Sequence, residues 1–106
     1  MIFNEESFRI TGSFGNEWSY NEIKSVNLLD ELPEIRGRVF GRGTMRESVG
    51  HHTLNDASYN TALLFILKDS PPYIFIELKE EKPIFINGSS AEETNNWFEL
   101  LHENSP

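Results

Sequence analysis

Apolar and polar residues alternate through most of the chain and change to a helical spacing only near its end. Phe8 and Ile10 fall on one side of the stretch Ser7–Thr11. Trp18 and Tyr20 then alternate with Glu17 and Ser19, a period of two that predicts strands. Between them Gly12-Ser13-Phe14-Gly15-Asn16 is a turn cluster, so residues 7–20 predict a β-hairpin. After a bend at Asn21-Glu22, the positions of Ile23, Val26 and Leu28 predict a strand with Lys24 and Asn27 outward. Pro33 interrupts it, because proline cannot donate to a ladder. A strand around Arg38–Phe40, a glycine-bearing turn and a strand from about Met45 to Leu54 are expected next, then a turn at Asn55-Asp56-Ala57-Ser58. Thr61–Leu67 is almost continuously apolar and predicts a central strand. Asp69-Ser70-Pro71-Pro72 marks a turn, Tyr73–Leu78 another strand, Glu80-Glu81-Lys82 a charged tip, and Pro83–Asn87 the last strand before Gly88. The expectation is about seven strands.

The period then changes. Ser90 is followed three residues later by Glu93, the spacing of a capping box. Ala91-Glu92-Glu93 places acids in a first turn, where the positive end of the helix dipole favours them. Thr94, Trp97, Phe98 and Leu101 recur at i, i+3, i+4 and i+7, one apolar stripe. A helix from about Ala91 to His102 follows, and its stripe must be buried on a small antiparallel sheet or a barrel mouth.

These features, in this order, resemble bacterial pleckstrin-homology-like domains. The resemblance runs from Phe8 to Leu101. It rests on the hairpin closed by Gly12 and Gly15, the stretch Trp18-Ser19-Tyr20-Asn21-Glu22-Ile23-Lys24-Ser25-Val26, Leu32-Pro33 with Arg36 and Gly41, Pro71-Pro72-Tyr73-Ile74, and the closing Glu92-Glu93-Thr94 helix. It implies a single domain over residues 1–106: a mainly β fold, a seven-stranded, partly open β-barrel capped at one end by the C-terminal amphipathic helix. It also implies a binding or assembly scaffold rather than an enzyme, with self-association through edge strands in some members. Animal-type relatives often bind inositol phosphates through basic residues around the first hairpin loop. Here Gly12-Ser13-Phe14-Gly15-Asn16 carries no Lys or Arg, and Arg9 is offset by Glu17. A polyphosphate headgroup needs several convergent cations, so this departure speaks against phosphoinositide binding.

Composition narrows the function further. The chain has 106 residues, with 17 Asp+Glu against 9 Lys+Arg and a net charge of −8. That balance disfavours nucleic acid and anionic lipid as partners for the surface as a whole, since both are polyanions. With no cysteine, disulfides, thiolate metal sites and thiol chemistry are excluded. The start of the chain has neither the basic nor the apolar region of a signal peptide. The apolar run Ala62–Leu67 is far short of the about 20 residues a bilayer span needs. A cytoplasmic protein is expected, membrane-proximal only through a segment outside this chain.

No catalytic arrangement emerges. There is no Gly-x-Ser-x-Gly, and the acid pairs Glu5-Glu6, Asp30-Glu31, Glu80-Glu81 and Glu92-Glu93 fall at turns or helix starts, where solvation is the ordinary role. No cofactor is expected. His51-His52 on a strand point to opposite faces and cannot chelate one ion together, so no metal is expected. Trp18, Tyr20, Phe65, Phe75, Phe85, Trp97 and Phe98 read as core. Single-stranded nucleic acid would want cations between such rings, and Glu17, Glu22, Glu77 and Glu99 stand there instead.

The unusual feature is a run of arginines: Arg36, Arg38, Arg42 and Arg46 hold four of the nine basic residues, and no acid lies between them. Gly37, Gly41 and Gly43 could let backbone amides approach an anion. The spacing is not that of a phosphate-binding loop. The arginines either form an anion or acidic-partner site or, more ordinarily, pair with Glu31, Glu34 and Glu47 or blunt an edge strand. Tyr73–Leu78 is expected between 83–87 and 62–67, leaving 45–54 and the first hairpin as edges. The chain thus reads as a non-catalytic interaction or assembly module binding a protein partner or itself. The alternative is binding of an anion or lipid headgroup through Arg36–Arg46.

Overall fold

A computed structural model describes residues 1–44, 46–55 and 59–106, without the side chains of 38–40 and 42. The expected turn at 55–58 lies, beyond Asn55, outside the described residues, as does Met45.

The described residues form nine strands and one long helix: β1 (Ile2–Phe3), β2 (Ser7–Ile10), β3 (Asn16–Ser19), β4 (Ile23–Leu29), β5 (Glu34–Gly43), β6 (Glu47–Asn55), β7 (Thr61–Leu67), β8 (Tyr73–Leu78), β9 (Ile84–Ile86) and α1 (Ala91–Asn104). The protein is therefore mainly β with one C-terminal helix. The strands make two sheets rather than one. β1, β2 and β3 form a small antiparallel sheet, and the other six are ordered β4-β8-β9-β7-β6-β5. The hairpin read from residues 7–20 is β2–β3, with Phe8 opposite Trp18. β1 was not anticipated, because two residues cannot display an alternation.

The large sheet departs from the expected antiparallel order at its centre. β9 pairs with β8 antiparallel but with β7 parallel, Leu64 facing Phe85. The chain lays down β7, crosses to β8, and returns as β9 between them. β7 is indeed interior, but β8 lies between β4 and β9. The edges are β4 and β5, not the 45–54 strand, which is interior as β6.

Parity along the strands gives the sheet two apolar faces. On one, Leu63, Ile74, Ile76, Leu78, Ile84 and Ile86 pack against Phe8, Ile10, Trp18 and Tyr20 of the first strands and against Leu101 of α1, with Trp97 and Phe98 alongside. On the other, Leu54, Ala62, Leu64, Ile66, Tyr73 and Phe85 form a second core, with Leu29, Leu32, Ile35 and Phe75 against it. The second face is concave, and a length argument shows why. Flat, six strands would separate β4 from β5 by about 24 Å at ~4.8 Å per step. The link from Leu29 to Glu34 reaches at most about 18 Å at ~3.6 Å per residue. The sheet must curl, and the link closes over the concave side, but β4 and β5 do not pair, so the curl is left open.

Two polar devices tie the last segment down. Asn87 is buried after β9; its Oδ1 accepts from Leu67 N at 2.8 Å and its Nδ2 donates to Leu67 O at 2.8 Å and Ser70 O at 2.9 Å. The side chain stands in for a paired strand residue. Thr94, fully buried in α1, accepts from Gly88 N at 2.8 Å and donates to Ser90 O at 3.0 Å. Ser90 caps α1 by accepting from Glu93 N. The return contact of Glu93 goes to Ser89 N, one residue earlier than a capping box requires. The reciprocal box occurs instead at Ser19 and Glu22, around a 3₁₀ turn, Tyr20–Glu22, where a simple bend was expected.

Candidate functional site

β5 is the least regular strand of the large sheet. Its register against β6 shifts twice, between Ile35 and Gly37 and between Arg38 and Phe40. At Gly41 φ is 141°, and a β-carbon there would lie 2.2 Å from Val49 O, so only glycine fits against β6. Such bulges bend a strand and sharpen its twist. They bring the two ends of β5 around a groove of about 350 Å³ lined by Ile35, Arg36, Gly37, Gly43, Thr44, Ser48, His52 and Lys68.

The four arginines do not all meet there. Arg36 is exposed and lines the groove. Arg46 is also exposed but sits in the turn after β5, outside the groove. Arg38 and Arg42 belong to β5, with backbones opposite His52 and Val49; their side chains lie outside the described residues. The second cation of the groove is Lys68, which the sequence did not single out. Its Nζ donates to Thr44 O at 2.6 Å, and its backbone N donates to Arg46 O at 2.7 Å. Thr44 Oγ1 accepts from the amides of Arg46 and Glu47. Lys68 thus pins the turn that carries Arg46. The register of β6 against β7, with Glu47 opposite Leu67, is the signal that would have placed Lys68 there. Of the acids named as ordinary partners for the arginines, Glu34 accepts from Asn55 Nδ2.

Under the groove lies His52, 2% exposed. Its Nδ1 is 3.1 Å from Gly50 O. A carbonyl only accepts, so Nδ1 carries the hydrogen and the neutral ring leaves Nε2 as a bare acceptor. Nε2 has no hydrogen-bond partner among the described residues. A Gly43 β-carbon would stand 3.8 Å from it.

His51 points to the opposite face, as alternation requires. It lines a groove of about 340 Å³ with Phe14, Trp18, Glu81 and Lys82. Lys82 Nζ lies 2.9 Å from His51 Nδ1, and Trp18 Nε1 donates to Glu81 at 3.2 Å. Burial, then the charge of Lys82 and the neighbouring His52, lowers the His51 pKa below its ordinary value. The polar groups of this groove are largely engaged with one another.

A third groove, of about 440 Å³, is lined by Lys24, Leu29, Pro33, Tyr59, Phe75, Glu77 and Phe85. Glu77 accepts from Tyr59 OH at 2.5 Å and from Ser25 Oγ at 3.0 Å. The Tyr59 bond, with help from Ser25 and Lys24, holds the Glu77 carboxyl below the usual carboxylate range, against the opposing effect of burial. Among the described residues no group of three or more His, Asp or Glu is placed to hold a metal ion. Among them, too, no helix is long and apolar enough to cross a membrane.

No protein-family model, curated protein or solved structure matches the chain.

Proposed function

We propose that the protein is a non-catalytic interaction module whose docking element is the outer edge of β5, and that its partner is an extended, acidic protein segment. One observation carries the reading. β5 is a ten-residue strand at the edge of the large sheet, and in a chain of net charge −8 it belongs to the run that holds four arginines and no acid from 36 to 46. An edge strand offers a row of unpaired N–H and C=O groups that an extended peptide can extend by one strand. Arginines on that strand select an acidic peptide over a basic one and speed its encounter. Exposed ion pairs contribute only about 0.2–1 kcal/mol each, so the interaction is weak and falls with salt.

The pleckstrin-homology-like barrel belongs to the same reading. The order of strands followed by a helix packed on them, and the curl of the large sheet, support it. The separate three-stranded sheet and the parallel β7–β9 pair are departures that a relative of known structure would have to share.

The test is fluorescence anisotropy with a ten-residue peptide alternating Glu and Val, against a Lys–Val control. Binding of the acidic peptide that weakens several-fold between low and moderate salt supports the reading. Equal binding of both peptides, or none, overturns it. Light scattering after size exclusion checks the self-association expected from sequence: a concentration-dependent dimer would make the partner a second copy of the chain.

A further inference from the structure

The groove under β5 contains a hydrogen-bonding group that the rest of the fold does not use. His52 is buried and its Nε2 is without a partner among the described residues, whereas native proteins satisfy nearly all such groups. The chemistry around it defines what would satisfy it. In the neutral ring Nε2 accepts, so the partner must bring a hydrogen. Arg36 and Lys68 line the same groove, so the partner must also bring negative charge. A metal ion fits poorly, because a single imidazole is the one ligand and two cations flank it. Arginine offers a planar fork suited to oxyanions, and Lys68 has three N–H donors, of which one is on Thr44 O.

We propose that this groove binds an oxyanion that still carries a hydroxyl, of which hydrogen phosphate is the simplest. Its bare oxygens accept from Arg36 and Lys68, and its O–H donates to His52 Nε2. Nε2 has less than 1 Å² of its surface exposed, and a Gly43 β-carbon would stand 3.8 Å from it, so a bound ion reaches it where the chain opens at Gly43. Gly43–Ser48 is the last pair of the β5–β6 ladder, the place where a strand end opens most readily. Docking of an acidic segment on the outer edge of β5 does not need Nε2, so this inference stands or falls separately.

The experiment is a titration of the whole chain with inorganic phosphate and with sulfate at pH 7, read from the ring ¹⁵N signals of His52. Phosphate keeps a proton at that pH and sulfate does not. The expected result is phosphate binding tighter than sulfate by about tenfold, the size of one good hydrogen bond. Gly43→Ala sets a methyl in ordinary contact with Nε2, 3.8 Å away and without a clash, and should abolish the preference. Arg36→Ala should weaken phosphate about tenfold, and Arg46→Ala, outside the groove, should leave it unchanged. Glycerol phosphate separates the sources: its monoester has largely lost the P–O–H at pH 7, so it should bind more weakly than inorganic phosphate, and binding as tight or tighter overturns the proposal. Equal affinity for phosphate and sulfate, no binding of either, or equal weakening by Arg36→Ala and Arg46→Ala overturns the proposal.

Discussion

The centre of the large sheet and its β5 edge are built on opposite rules. At the centre, β7, β8 and β9 are short, glycine-free and almost wholly apolar, and Asn87 completes the ladder where β9 ends. At the edge, β5 is long, twice bulged and rich in glycine and arginine, and it runs beside a buried histidine nitrogen that has no partner among the described residues. The centre spends its residues on packing, and the edge keeps irregular backbone and charge. Irregularity and unmet polar groups gather where a fold is shaped for something other than stability.

The largest test of this contrast is Ile76→Ala. Ile76 is fully buried between β4 and β9, and emptying such a site costs about 2–5 kcal/mol, measurable by urea unfolding. Asn87→Ala should cost about 1–3 kcal/mol, because it leaves three partly buried backbone groups short of a bond. Gly41→Ala probes the edge itself. The collision with Val49 O and the positive φ predict a loss of about 1–3 kcal/mol, with faster amide exchange confined to β5 and β6. A wild-type amide profile after that change would remove the distinction between edge and centre.

Tyr59→Phe tests pH dependence. The Glu77 carboxyl is held below its ordinary range in the folded state, so its contribution is present above the unfolded pKa and is lost as pH falls through the lower folded value. The variant should therefore be less stable than wild type at neutral pH, and the gap should close in acid. Equal gaps at both pH values would show that the lost contact is pure packing. Arg36→Ala is the smallest effect, within about 0.5 kcal/mol by thermal unfolding, because an exposed arginine adds little to stability. A larger loss would make Arg36 structural.

Much of the secondary structure was legible in the sequence, because burial on one face imprints a period. β2, β3, β4, β7, β8 and α1 all follow from alternation, from a short apolar run bounded by turns, or from the helical stripe of Thr94, Trp97, Phe98 and Leu101. Pairing was less legible. Nothing local in Ile84-Phe85-Ile86 says that it will lie parallel to β7, since the three residues are buried on both faces and show no alternation. Leu28 was expected inside but is exposed, although it shares a face with buried Val26, because it lies near the end of an edge strand. The arginine run was visible as composition. Its geometry was not, because Lys68 joins Arg36 only through the β6–β7 register, and the empty acceptor of His52 depends on a carbonyl two residues away.

The placement of β9 also sets an order of events. Until residues 84–86 exist, β7 and β8 have no strand between them, and Leu63, Leu64, Ile74 and Ile76 face a vacant slot one strand wide. A chain emerging residue by residue from a ribosome therefore carries an exposed, sticky core from the time β7 and β8 emerge until β9 follows. It closes only when a three-residue strand slides into place, with Asn87 latching behind it.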